Sequence, residues 1–490
     1  VLGLAVAKLA FHAATNGQYG FHRDELATLD DARHLAWGYV AYPPLTPFLG
    51  RAELALFGTS LSGFRLLAAA AQCAVAVLAA LMARRFGGGR AAMLVAAGAA
   101  AFSPVSLGAS ALFQYVSFDA LWCVLVCYLF VALLDTGDPR LWLAIGAALG
   151  LGALTKYTVG FYVAGLAAAV LASPPRRHLA TRWPYLGALV SIVLFAPNLA
   201  WQAAHGFVSL EFLKSIHARD VAIGRTASFL LDQVKESAHP LTVPLWLWGL
   251  LALLFTTRLR RFRAAALLPL VSFALFALAK GRGYYTAPLY PVLFAAGAAE
   301  LERALSAWTL LWRRAAYGVI GTLLVLAGVS TAIFALPLAR PGSKLFRMAL
   351  AENGDFPEEI GWPELVAEVA RIYRALPAEE RAHAGVFCGN YGEAGAVDLY
   401  GPAYGLPAAI SGIDSYWERG PGVPPPTTLI VLGATRERVE KRFGKVELAG
   451  HTPNPLGVAN EETTRHPDIF VCREPLDSIE KLWPKIRSFG

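Results

Sequence analysis

Carboxylates and cations are scarce in this chain, and those present gather at a few places. Asp24 and Glu25 stand side by side in Phe21-His22-Arg23-Asp24-Glu25-Leu26, with Asp30, Asp31, Arg33 and His34 close behind. Asp119 lies in Gln114-Tyr115-Val116-Ser117-Phe118-Asp119-Ala120-Leu121-Trp122, and Lys156 in the apolar turn Leu154-Thr155-Lys156-Tyr157. Lys280-Gly281-Arg282-Gly283-Tyr284-Tyr285 ends one apolar run, and Arg65, in Gly63-Phe64-Arg65-Leu66, starts another. A carboxylate can take the proton of a hydroxyl. Cations can stabilise the charge that develops on a departing phosphate, and glycines beside them let the backbone approach closely. Each group also has a plainer role. Asp-Glu complements the positive end of a helix, Asp119 is a buried structural acid bonded to the first-loop backbone, and Lys280 and Arg282 snorkel to lipid phosphates. Tyr284 and Tyr285 alone are aromatic-belt residues. What favours the chemistry is that all of them fall on one side of a membrane.

That membrane is implied by composition. Of the 490 residues, 56 % are apolar or aromatic and only 16 % are charged, against ~25 % charged in a soluble domain. An ordinary cytosolic enzyme and a disordered chain are both excluded. The net charge of +8 sits in short clusters between apolar runs, which is a membrane-topology pattern and not a nucleic-acid face. The five cysteines contain no CxxC, which excludes a disulfide scaffold and a cysteine-ligated zinc site.

Runs of ~20 apolar residues, enough to cross ~30 Å of hydrocarbon, predict about eleven spans. They lie near residues 1–14, 64–83, 91–108, 118–134, 140–154, 157–172, 183–202, 242–257, 264–279, 285–300 and 315–337. The first starts at Val1, as though inside the helix, and lacks the flanks of a signal peptide. With a cytoplasmic start, the arginines at 84, 85 and 90, at 176, 177 and 182, at 258, 260, 261 and 263, and at 303, 313 and 314 all fall on the cytoplasmic side, as the positive-inside rule requires. Residues 15–63, 109–117, the Lys156 turn, 203–241, 280–284 and the tail then face outward. In the first outer loop, residues 24–37 have helical periodicity, and Pro43-Pro44 divides two interfacial helices.

The tail, 338–490, is a second domain outside the membrane domain of 1–337. Short apolar strands at 385–388, 428–432 and 468–472 alternate with helical patterns at 363–376 and 434–442, predicting a small α/β domain. Cys388 and Cys472 both lie in it, and an outer compartment permits their disulfide. Cys73, Cys123 and Cys127 read as small buried apolar residues. Gly389-Asn390-Tyr391-Gly392-Glu393-Ala394-Gly395 reads as a structural strand-to-helix turn, without the spacing of a phosphate-binding loop.

The residues alone lead to an outer-face site for an anionic, lipid-anchored substrate. In order along the chain, Asp24-Glu25, Tyr42-Pro43-Pro44-Leu45, Phe57-Gly58-Thr59-Ser60 before Gly63-Phe64-Arg65-Leu66, Ser117-Phe118-Asp119-Ala120, Leu154-Thr155-Lys156-Tyr157, and Lys280 to Tyr285 with Pro288-Leu289-Tyr290-Pro291 form a set. It resembles the GT-C glycosyltransferases of family 39, which include dolichyl-phosphate-mannose–protein mannosyltransferases and bacterial aminoarabinose transferases. The resemblance covers about residues 20–295.

The resemblance implies a multi-pass enzyme of the bacterial cytoplasmic membrane, with its C-terminal domain outside. It would transfer sugar, with inversion, from a polyprenyl-phosphate donor to a protein, lipid or polysaccharide acceptor of the cell envelope. Carried over, Asp24 is the base, Glu25 orients the acceptor or, with His22, holds a divalent metal such as Mg or Mn, and Asp119 supports the first loop. Lys280, Arg282, Tyr284 and Tyr285 face the donor phosphate, with Arg65 and Lys156 as further cations. Two departures from the family pattern, Leu26-Ala27-Thr28 after the acids and Gly283 before the tyrosines, bear on the donor and acceptor, not on the reaction class. A transporter or flippase for a lipid-linked sugar is the alternative. It calls for inverted repeats and charges at the bilayer midplane, and the sequence shows neither.

Overall fold

Each apolar run folds as a helix in the computed structural model, which describes residues 1–490. Four helices are long and apolar enough to cross a membrane: Leu61–Arg85, Tyr115–Thr136, Trp183–Ala204 and Leu310–Ala335. Counting two bent pairs as one span each makes six. Arg90–Ala101 and Pro104–Ala111 meet at 60°, because Ser103 caps a new helix with Pro104 in its first turn. Phe229–Ser237 and Pro240–Phe255 meet at 90° around Pro240, which cannot continue the preceding hydrogen-bond ladder. Shorter apolar helices occupy Leu2–Thr15, Leu141–Ala153, Val159–Leu171 and Ala264–Leu278. The predicted span at 285–300 is a helix only from Tyr290 to Ser306, and most of its first half is buried among other helices.

Small residues let these helices approach to backbone contact, as they do where lipid offers no hydrophobic drive. A Cβ on Gly249 would lie 1.9 Å from the carbonyl oxygen of Leu293, and one on Gly297 would lie 2.0 Å from that of Leu245. Only 17 % of Trp183–Ala204 and of Leu310–Ala335 is buried in the protein, so their exposed Ile192, Val193, Val325 and Leu326 form the lipid-facing periphery. The arginine-rich loops draw together at one end of the bundle. Asp135 pairs with Arg85 at 3.2 Å and with Arg261 at 2.8 Å, and Glu300 pairs with Arg258 and Arg303.

At the other end lie the first loop and the tail. The first loop folds into Arg23–Arg33 and Leu45–Phe57, separated by Pro43-Pro44. The tail contains a mixed sheet of β1 (Ala384–Phe387), β2 (Ala409–Ile410), β3 (Thr428–Val431), β4 (Phe443–His451) and β5 (Asp468–Pro475) in the order β2-β1-β3-β5-β4. The first three are parallel, and β5 runs antiparallel to β3 and β4. β2 and β4 have no counterpart in the sequence reading. β2 pairs through only two residues, and the exposed alternation of β4 is that of an edge strand. Cys388 and Cys472 are both buried and both free thiols.

The sheet is not an appendage on a stalk. Leu26 and Leu29 of Arg23–Arg33 share one continuous core with Trp362, Val366, Val386, Ile430 and Val471. Gly395 abuts Leu26 so closely that a Cβ there would lie 2.7 Å from the Leu26 Cβ. The helix Tyr391–Tyr400, which makes this contact, starts in a capping box. The Asn390 side chain accepts from the Glu393 N–H, and Glu393 accepts from Gly389 and Asn390. Burial, with Glu462 nearby, raises the Glu393 carboxyl to about 8. A folded value above the unfolded one means that stability is full below about 4.5 and is lost as pH rises towards 8. Glu393→Gln keeps an acceptor oxygen and removes the titration. Melting curves from pH 5 to 8.5 are expected to decline less steeply in that variant, by up to ~1.4 kcal/mol per pH unit. An unchanged slope would assign the pH dependence to other groups.

Candidate active site

His22 starts the helix Arg23–Arg33 with a capping box: its Nδ1 accepts the Asp24 N–H at 3.1 Å, and Glu25 Oε2 accepts the His22 N–H at 2.9 Å. Asp24 and Glu25 therefore leave the helix on different sides. Asp24 faces a cavity of about 740 Å³ between the membrane helices and the tail, with 44 % of its side chain open. Glu25 turns inward and is fully buried.

The cavity collects residues from distant parts of the chain. Lys156, Lys280, Arg282 and Tyr285 line it together with Asp24 and Gln114, and Tyr42 and Asp31 form part of its wall. Lys280 follows the helix Ala264–Leu278, whose C-terminal dipole favours a cation. Its backbone is left-handed, φ 49°, an uncommon conformation for a side-chain-bearing residue. Lys156 Nζ lies 3.8 Å from the centre of the Tyr285 ring and 5.1 Å from those of Tyr115 and Tyr284. This aromatic cage holds a largely buried ammonium without a carboxylate partner. Arg282 is partly neutralised by Asp220, 2.6 Å away.

Four residues expected at the site are not on the cavity wall: Tyr284, which packs edge-on against Tyr285, and Arg65, Glu25 and Asp119. Arg65 and Glu25 are fully buried against each other: Nε and Nη2 donate to the two carboxylate oxygens at 2.8 and 2.6 Å. Arg65 also donates to the carbonyls of Asn16 and Gly20 and to the buried Glu359 of the tail at 3.4 Å, and Glu25 accepts the Phe113 N–H at 2.7 Å. The pair fastens the first loop to the membrane helices, and neither Arg65 nor Glu25 reaches the cavity. Asp119 does not bond the first-loop backbone, a task Glu25 performs. It is buried off the cavity wall, within Coulombic reach of Lys156, and accepts only from the Cys123 thiol, at 3.7 Å. The residues near Asp24 do not fit a divalent cation. His22 uses Nδ1 in the cap, Glu25 is engaged with Arg65, and no group of three or more His, Cys, Asp or Glu has a metal-site arrangement.

Other cavity residues escaped the sequence reading. Tyr391, from the tail, donates to Asp24 Oδ1 at 2.8 Å, while Gln114 donates to Oδ2 at 3.1 Å. Asp414 also comes from the tail, and burial raises its carboxyl to about 7. Arg219 and Asp220 come from Val208–Ala222, a helix in the loop 203–241. Val208, Phe212 and Ile216 at helical spacing were its signal, and Asn390-x-x-Glu393 marked Tyr391 as the first residue of a helix.

Residues 41–201 match the family model described as dolichyl-phosphate-mannose-protein mannosyltransferase. The matched stretch contains Tyr42, Asp119 and Lys156, but neither Asp24 nor Lys280. No curated protein sequence matches the chain. Among solved structures it is similar to ArnT from Cupriavidus metallidurans in the apo state, at 15 % identity and TM-score 0.58, over 96 % of this chain and 97 % of that one. The same figures hold for that ArnT bound to undecaprenyl phosphate. It is also similar to the Archaeoglobus fulgidus oligosaccharyltransferase tethered with an acceptor peptide, at 13 % identity and TM-score 0.51, over 83 % of this chain and 64 % of that one. The chain therefore has the fold of these ArnT and oligosaccharyltransferase structures, and its residues 41–201 carry the match to the mannosyltransferase family model.

Proposed function

We propose that this protein transfers a sugar from a polyprenyl-phosphate donor to an acceptor hydroxyl at the extracytoplasmic surface of a bacterial cytoplasmic membrane, with inversion and with Asp24 as the base. The observation that carries this reading is the single cavity that Asp24 lines together with Lys156, Lys280 and Arg282. The similarity to an ArnT solved with undecaprenyl phosphate supports the choice of donor. A lipid phosphate brings its charge to headgroup depth, where these cations stand, while its prenyl tail stays in the bilayer.

In this reading Asp24 accepts the proton of the acceptor hydroxyl. The oxygen attacks the anomeric carbon from the face opposite the phosphate, so one displacement forms the new glycosidic bond, breaks the sugar–phosphate bond and inverts the centre. Lys280 and Lys156 stabilise the leaving phosphate. Tyr391 and Gln114 occupy one site on each Asp24 oxygen, and a carboxylate has about four, so room remains for the hydroxyl.

Purified protein in nanodiscs, given polyprenyl-phosphate sugar and membrane extract, is expected to release polyprenyl phosphate. Lys280→Ala should raise the donor KM about 10-fold, the loss of ~1.4 kcal/mol of charge-assisted contact. Absence of release with every sugar donor would overturn the reading. Tyr391→Phe removes a hydrogen bond to a charged group, a contact of ~1.5–3 kcal/mol. It should lower kcat by about tenfold or more while the donor KM stays constant. A change in donor KM alone would show that Tyr391 shapes the donor pocket and does not position the base.

A further inference from the structure

The far face of the tail's sheet holds a second cavity, of about 260 Å³. Its floor is apolar: Leu429 and Val431 of β3, with Val439, Phe443 and Leu482. It opens at the carboxyl ends of the parallel strands, where Gly389, Gly412 and Gly433 bring bare backbone to its wall. From β1 the chain crosses to β2 on one side and then to β3 on the other. This reversal makes the crevice a topological switch point, the usual ligand position in such sheets. A wider depression of about 520 Å³ adjoins it and shares Arg438, Arg442, Leu482 and Lys485 with it.

The charges of this depression are unbalanced. Its one acid, Glu437, pairs with Lys441 at 2.6 Å, while no carboxylate pairs with Arg438, Arg442 or Lys485. Arg487, on the inner wall, is already committed to Glu211 at 3.7 Å and to the rings of Trp417 and Phe489. An apolar slot opening into arginines and a lysine matches a ligand with a tail at one end and a multiply charged anion at the other, and arginine forks suit phosphate oxygens.

We infer that this cleft is a binding site for a single-tailed amphiphile with a phosphate head, the tail on the β3 floor and the head between Arg438, Arg442 and Lys485. The site does not depend on the sugar-transfer reading. It is distinct from the Asp24 cavity but shares its walls: the turns bearing Gly389 and Gly412 also carry Tyr391 and Asp414 on the Asp24 side.

Hydrogen exchange of the full chain in nanodiscs, titrated with octyl phosphate, tests this by location. Exchange is expected to slow at 429–443 and 479–488, and the double variant R438E/R442E should weaken that protection at least 10-fold. The surface position of both arginines leaves the fold intact, and the Lys280→Ala variant should retain the protection. Equal protection by inorganic phosphate would overturn the tail slot, and equal protection by octanol would overturn the anion site. Protection confined to residues around 24–31 and 280–286, or surviving R438E/R442E, would overturn the proposal altogether.

Discussion

Asp24→Asn is expected to lower turnover by ~10²–10⁴-fold with donor affinity unchanged. The substitution is nearly isosteric, and the new side chain still accepts the Tyr391 hydroxyl. Gln114 can present its amide oxygen to the new N–H₂ group by rotating about its terminal bond. The geometry is thereby kept and only the capacity to take a proton is lost. Pre-loaded single-turnover release of polyprenyl phosphate, measured beside donor binding, separates the two. Turnover at the normal rate would remove Asp24 as the base, and loss of donor binding would mean that it belongs to the donor pocket.

The second large effect is structural. Arg65→Met is expected to cost ~3–5 kcal/mol, because it leaves the Glu25 carboxylate buried and uncompensated. Against a total stability of ~5–15 kcal/mol, that loss should abolish most folded protein in detergent extracts. The double variant Arg65→Met/Glu25→Gln removes both charges of the pair and leaves only Glu359, 3.4 Å from Arg65, which can take up a proton, so it should recover part of the deficit. In the folded double variant the donor KM should equal that of the parent, since Arg65 is fully buried and off the cavity wall. A raised KM would return Arg65 to the phosphate site. Folded-protein yield and thermal unfolding read the first effect, and kinetics the second.

Glu25 and Arg65 illustrate what local sequence conveys and what it omits. Both stand at helix starts beside an apolar run, where a charge suggests function. Forty residues separate them, and nothing in either neighbourhood announces a partner. Tyr391 is the converse case. Its turn reads as structural, and so it is, but the helix that follows packs on Leu26 and thereby places the phenol on Asp24.

What the sequence determined by itself was set by solvent. Continuous apolar runs of about 20 residues must cross lipid as helices, because the bilayer leaves backbone groups no water to bond and a barrel strand would alternate apolar with polar residues, and the arginine clusters assign the ends of those helices. The same restriction confines polar residues to a few loops, so Asp24, Lys156, Lys280 and Arg282 stand out before any contact is known. Tertiary structure alone decided which of two adjacent carboxylates faces the cavity, since one residue along a helix turns the side chain by about 100° and packing selects the side. It also decided that the tail completes the site, because a pairing across more than three hundred residues depends on a shared core and leaves no periodic mark in the chain.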